Sequence, residues 1–165
     1  MLGGGGSSTG IGTLRFTRRI RPAQSAGGLA QEVTYRKDIK PLFDSKCAGC
    51  HGAASPVLAE LLLDQKKFTT AMKGPRIDTY ADMIALVGWP DTGALMRRLD
   101  DGKGGSGKPG NMYAYLGSSD EERAKNLETF KAWVGPGGWT LKRWEARDNV
   151  PGISREELEK IRVKY

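Results

Sequence analysis

Apolar positions along this chain recur mostly at helical spacing. Ile39, Leu42 and Phe43 follow it in "VTYRKDIKPLFDSKCAGCHG". That pattern predicts one short helix, with Asp38 as N-cap and Pro41 tolerated in the first turn. Met83 in "YADMIALVG" and Met96 in "GALMRRLDD" lie on apolar stripes and read as core residues. Ala124, Leu127, Phe130 and Val134 mark a longer helix, opened by a capping box of Ser119 and Glu122. Asp120 and Glu121 complement its dipole. A last short helix is capped by Ser154 with Glu157, and Ile153, Leu158 and Ile161 form its apolar side. It is expected to fold back over the core, with Trp139, Leu141 and Trp144 in the connection. Trp133 and Trp139 read as packing residues, left partly exposed so that their indole N–H groups find partners.

The stretches "LGGGGSSTGIG" and "DDGKGGSGKPG" show no such period and read as loops or flexible chain. The organisation expected is a flexible basic leader over 1–30, a helical domain over 31–139 and an extension over 140–165. A length of 165 residues suits one domain. Hydrophobic residues at 38% and charged residues at 27% fit a soluble globular chain. No stretch approaches the roughly 18 consecutive apolar residues of a membrane span. The formal charge of +7 points to acidic partners or anionic surfaces. Arg15, Arg18, Arg19 and Arg21 raise nucleic acid as a partner, but no spaced nucleic-acid motif accompanies them, and a basic tail is the reading kept.

The chemistry is concentrated in "DSKCAGCHGAASP". Cys47, Cys50 and the only histidine, His51, stand within one pentapeptide. A disulfide between the two cysteines closes a tiny loop, stabilises little and leaves His51 unexplained. A thioredoxin-like redox site needs a βαβ setting, whereas this region reads as helical. A structural zinc site needs four ligands and finds three. Covalent haem attachment uses all three residues: both thiols add to the haem vinyl groups and the histidine binds iron. Random placement gives this arrangement about once in ten thousand chains. The redox and metal readings stay open beside the haem reading. A helical turn across Cys47 to Cys50 puts both sulfurs on one side, and Gly52 lets the chain turn away.

"YRKDIKPLFDSKCAGCHG" resembles the opening of a class I c-type cytochrome domain of the bacterial type. The resemblance continues through "LLLD", "GWPDTGALMRRLDDG" and "SSDEERAKNLETFKAWVGPGGW", covering about residues 34 to 139. It implies an all-α, small cytochrome c-like fold around one covalent haem c, with extended terminal segments. It also implies a final helix that crosses the haem-motif helix, His/Met-ligated iron and one-electron transfer.

With His51 spent, methionine is the natural sixth ligand. The resemblance points to Met112 in "GKPGNMYAYLGS", which occupies the family's Gly-x-Met position with Tyr113 following instead of proline. Met72, Met96 and an open site are the other possibilities. Trp89, Arg97 and Arg76 are candidate donors to the haem propionates, beside a plainer reading of them as one core tryptophan and two surface arginines. Pro56 resembles the family's proline whose carbonyl accepts the His51 ring N–H.

The expected function is a monohaem one-electron carrier, not an enzyme, steered to acidic redox partner proteins by its basic surface. The alternatives are a haem subunit fixed in a larger oxidoreductase complex, or a haem sensor or enzyme with an open sixth position. Haem c is attached outside the bacterial cytoplasm, so a periplasmic or otherwise exported location is expected. "MLGGGGSSTGIGTLRFTRRIRPAQSAGGLAQ" lacks the apolar run of about 7–15 residues that export signals carry, although "PAQSAGGLAQ" resembles a cleavage region. The leader is therefore expected to be truncated, mis-started or replaced.

Overall fold

The computed structural model describes residues 1, 3–6, 32–103, 107–141 and 152–165. The arginine cluster at 15–21, the small-residue stretch 22–31 and Trp144 lie outside the described residues. Gln31–Tyr165 forms one compact unit, and Met1–Ala30 is a separate one. Among the described residues the secondary structure is helical, with no strand.

The first element begins earlier than the sequence pattern suggested. A π turn spans Tyr35–Ile39, and Thr34 rather than Asp38 caps it, its hydroxyl accepting from the Lys37 amide. Asp38 sits inside that turn, and its carboxylate accepts from the Thr34 amide at 2.8 Å. The acid therefore bonds back to the helix start, the favourable place for a negative charge. Helix α1, Lys40–Lys46, continues with Pro41 in its first turn, where a missing N–H costs little. Cys47 then breaks the helix, and α2, Ala48–His51, is a separate single turn. The single helix expected here is thus two.

Four short helices follow: α3 Leu58–Leu63, α4 Gln65–Thr70, α5 Tyr80–Ala85 and α6 Ala94–Leu99. No residue of α3 or α4 is buried. Met83 on α5 and Met96 on α6 are fully buried, as their stripes predicted. A 3-10 turn, Tyr113–Leu116, leads into α7, Asp120–Val134, then the single turn α8, Pro136–Trp139. The buried face of α7 is Leu127, Phe130, Trp133 and Val134. Ala124 is exposed, because the first half of α7 is occupied by caps and ion pairs.

Only one half of the expected capping box forms at α7. Ser119 accepts from the Glu122 amide at 3.2 Å. The Glu122 carboxylate instead accepts from the amide and hydroxyl of Ser118, at 2.7 and 2.9 Å. Its other oxygen pairs with Lys46 at the end of α1. These donors hold the Glu122 carboxyl down at about 2, the Lys46 hydrogen bond first among them.

The core joins Ile39 and Phe43 to Leu127, Phe130, Trp133 and Val134, with Met83, Val87, Met96, Leu99 and Leu116 completing it. The π turn packs on α7, which brings the element entering the cysteine motif against the final core helix. Helix α9, Arg155–Leu158, carries the full capping box of Ser154 and Glu157. Ile153 and Ile161 pack on the core, whereas Leu158 is exposed, so the apolar side of α9 is narrower than its spacing suggested.

The segment after α9 works as a strap. The Arg162 and Val163 amides donate to the carbonyls of Val134 and Trp133 at 3.0 and 2.9 Å. The Lys164 carbonyl accepts from the Tyr35 amide at 2.7 Å and from Trp133 Nε1 at 2.9 Å. Tyr165 stacks on Tyr35 with ring centroids 5.9 Å apart. Trp133 is 1% exposed and Trp139 is 7% exposed, so both indoles are buried outright and not partly exposed. Lys164 supplies the acceptor for one and the Asp100 carboxylate, at 3.4 Å, for the other.

Two predictions follow from this packing. Phe43→Ala removes a fully buried ring and lowers holoprotein stability by about 3–5 kcal/mol, whereas Leu63→Ala, at a site 87% exposed, changes it by about 0.5 kcal/mol or less, both read by urea unfolding. The second concerns pH. A folded-state carboxyl near 2 against an ordinary 4.5 gives stability present above about 4.5 that fades as pH falls toward 2. Glu122→Gln should flatten the acid limb of the stability–pH curve in that window, and an unchanged slope would contradict the assigned pairing.

Candidate functional site

The site grows from the break at Cys47. The Cys47 amide still bonds to the Phe43 carbonyl at 2.8 Å, and the amides of Cys50 and His51 bond back to the Cys47 carbonyl at 3.1 and 2.9 Å. This local wind puts the two sulfurs on one side of a single turn. Gly52 ends it, but not through special backbone angles, since its φ is −84°. A Cβ there would lie 2.5 Å from the Ala48 carbonyl oxygen, so the position requires glycine for close approach.

The chain then leaves the motif and returns beside it. Ser55 Oγ donates to the Cys50 carbonyl at 2.9 Å. After α3 and α4, the Gly74 amide reaches that same carbonyl at 2.9 Å, and the Ile77 amide reaches the His51 carbonyl at 3.0 Å. The returning segment 74–77 is therefore laid along α2.

This segment fixes the histidine. His51 Nδ1 lies 2.8 Å from the Pro75 carbonyl oxygen. A carbonyl accepts only, so Nδ1 carries the proton and Nε2 keeps its lone pair for a metal. The ring also rests on Gly74, where a Cβ would fall 2.2 Å from His51 Cε1. The expectation that Pro56 takes this role is corrected: the Pro56 carbonyl accepts from the Arg76 amide at 2.7 Å. The missed signal was the Gly-Pro pair at 74–75, which contributes a flat surface and an acceptor together.

The two cysteines are not bonded to each other, and both are half-buried. Burial pushes the Cys47 thiol up to about 11, with the nearness of Cys50 adding to it. A thiol–disulfide catalyst needs a lowered value, so this cysteine is poorly suited to exchange chemistry. Among the described residues no group of three or more His, Cys, Asp and Glu side chains gathers as a metal cage. Two thiols on one turn beside an oriented imidazole fit haem c in both number and chemistry.

The methionines separate by environment. Met83 and Met96 are core residues at 1% and 0% exposure. Met72 follows α4, is 65% exposed and has φ +54°. Met112 is half-buried at the start of the 3-10 turn, packed against the core, with its amide donating to the Arg98 carbonyl at 2.9 Å.

The candidate propionate donors are placed as follows. Arg76 forks onto Asp78, at 2.6 and 3.4 Å. Arg97 is engaged by Asp91 Oδ1 at 2.8 Å and by the Thr92 carbonyl at 2.9 Å. Its side chain is only 11% exposed, so it is not a surface arginine. Trp89 is 70% exposed and is no core residue. No helix among the described residues is long and apolar enough to cross a membrane.

Comparisons with known proteins agree with this geometry. A family model described as PccH cytochrome c matches residues 34–165. No curated protein matches the chain significantly. The solved structure of the monohaem cytochrome PccH from Geobacter sulfurreducens is 55% identical to it, with a TM-score of 0.71, over 81% of this chain and 99% of that one. A single Cys-Ala-Gly-Cys-His motif on a helical fold of this kind means one haem c, joined through Cys47 and Cys50. The chain belongs to the PccH cytochrome c family.

Proposed function

We propose that this chain is a one-electron carrier whose haem iron is held between His51 and Met112. The observation that carries the reading is the 2.8 Å contact of His51 Nδ1 with the Pro75 carbonyl, which fixes the tautomer and leaves Nε2 as the ligating atom. Met112 adds to the reading: of the methionines outside the core, it is the one packed half-buried against that core. The haem supplies a single redox centre, and a thioether ligand raises its potential. The chain's own residues orient the imidazole, exclude water and steer approach. Were His51 and Met112 both to bind the iron, no coordination site would remain for a substrate, so the protein is read as an electron carrier and not an enzyme. The charge of +7 favours acidic redox partner proteins, and haem c attachment outside the bacterial cytoplasm favours an exported, periplasmic location.

Met112→Ala tests the ligand set. The variant should keep its haem through denaturation, lose the sulfur-to-iron charge-transfer band of the oxidised protein, and bind carbon monoxide when reduced. Met72→Ala should change none of these. A band that survives in Met112→Ala and vanishes in Met72→Ala moves the ligand to Met72. Steering has its own readout: association with an acidic redox protein should slow as ionic strength rises, and a salt-independent rate contradicts it.

A further inference from the structure

The loop that leads to Met112 lies at the surface, although Met112 itself packs against the core. From Gly107 to Asn111 no residue is buried, and the sequence there is Gly-Lys-Pro-Gly-Asn. Burial of the loop therefore does not set the course of the backbone into the methionine. Helix α6 sets that course, because it is anchored in the core by Leu95, Met96 and Leu99.

The last carbonyls of a helix have no partner within it. Beyond the end of α6 the Gly110 amide donates to the Asp100 carbonyl at 2.8 Å, and the Met112 amide donates to the Arg98 carbonyl at 2.9 Å. The loop thus caps the C-terminal end of α6, and the same two bonds place residues 110 and 112. Gly110 makes the approach possible. A Cβ on it would lie 2.3 Å from both the Arg97 and Arg98 carbonyl oxygens and 2.5 Å from the Arg98 carbonyl carbon. These are backbone atoms of a helix held in the core, so they cannot yield as a flexible side chain would. The φ of Gly110 is not in the left-handed region, so the need for glycine is contact alone. On the far side the Trp139 N–H donates to the buried Asp100 carboxylate at 3.4 Å, backing the same turn.

We infer that the C-terminal turn of α6 is the template that sets Met112 toward the iron, and that Gly110 is its positioning residue. The inference rests on Met112 being the sixth ligand. An added methyl at 110 has to lift the loop from α6, breaking both backbone bonds and drawing the sulfur away while the haem stays attached.

The test uses the holoprotein and compares Gly110→Ala with Met112→Ala. Gly110→Ala should retain covalent haem and its far-UV helical signal, lose most of the charge-transfer band of the oxidised form, and bind carbon monoxide when reduced. If Met112→Ala loses the band and Gly110→Ala keeps it in full, the template is wrong and the ligand assignment stands. If Met112→Ala keeps the band, the ligand assignment itself fails and the template falls with it. Should Gly110→Ala not fold, amide hydrogen exchange of the wild type decides. The Gly110 and Met112 amides should exchange at least about tenfold more slowly than that of Asn111 between them, and equal rates would overturn the clamp.

Discussion

The hydrogen bond from His51 Nδ1 to the Pro75 carbonyl is the point at which the local motif becomes a tertiary site. A Cys-x-x-Cys-His turn by itself delivers two thiols and an imidazole free to rotate. Orientation comes from segment 74–77, which is pinned along α2 by the Cys50 and His51 carbonyls. Gly74 removes the side chain that would collide with the ring, and Pro75 offers an acceptor from a backbone with little freedom. A carbonyl partner also makes the ring a better electron donor through Nε2.

The rest of the fold holds that arrangement at both ends of the motif. Before it, the π turn and α1 bury Tyr35, Ile39 and Phe43 against α7. Lys46, one residue before Cys47, is tied to Glu122 in the first turn of α7. The strap at 162–165 lies across the same junction, its Lys164 carbonyl accepting from both Tyr35 and Trp133. After the motif, α5 and α6 carry Met83 and Met96 into the same core, and α6 presents its end to the loop of Met112. Two loops that share little local structure are thereby referred to one set of buried side chains.

What the sequence made legible was what lies close together along it. Cys47, Cys50 and His51 fall within one turn, so their chemistry shows without a fold. The stripe of Leu127, Phe130 and Val134 and the Ser154–Glu157 box are likewise local, and both appear in the structure. Helix starts were less secure: Thr34 and Asp38 are both good capping residues, and only the extra π turn decides between them. Pro75 was missed because its role depends on a contact between residues 24 apart, across an excursion whose length sets no register. Pro56 was read from its resemblance to the family's proline, and its carbonyl meets the Arg76 amide instead. Leu158 shows the same limit, since a one-turn helix can meet the core with only part of its apolar spacing. The strap made by Arg162 to Tyr165 has no spaced motif, because its bonds run from backbone amides and carbonyls to groups far away along the chain, the Trp133 indole among them.

The central claim is that His51 and Met112 face each other across one iron. Proton–carbon NMR of the reduced holoprotein, with the methionine methyl groups labelled, tests it directly. The methyl group of a methionine whose sulfur binds haem iron would be shifted far upfield by the ring current, while those of core and surface methionines would not. The five methionines of the chain should give one such signal, and it should be the one missing from Met112→Leu. No upfield methyl, or one that disappears in Met72→Leu instead, would contradict the account.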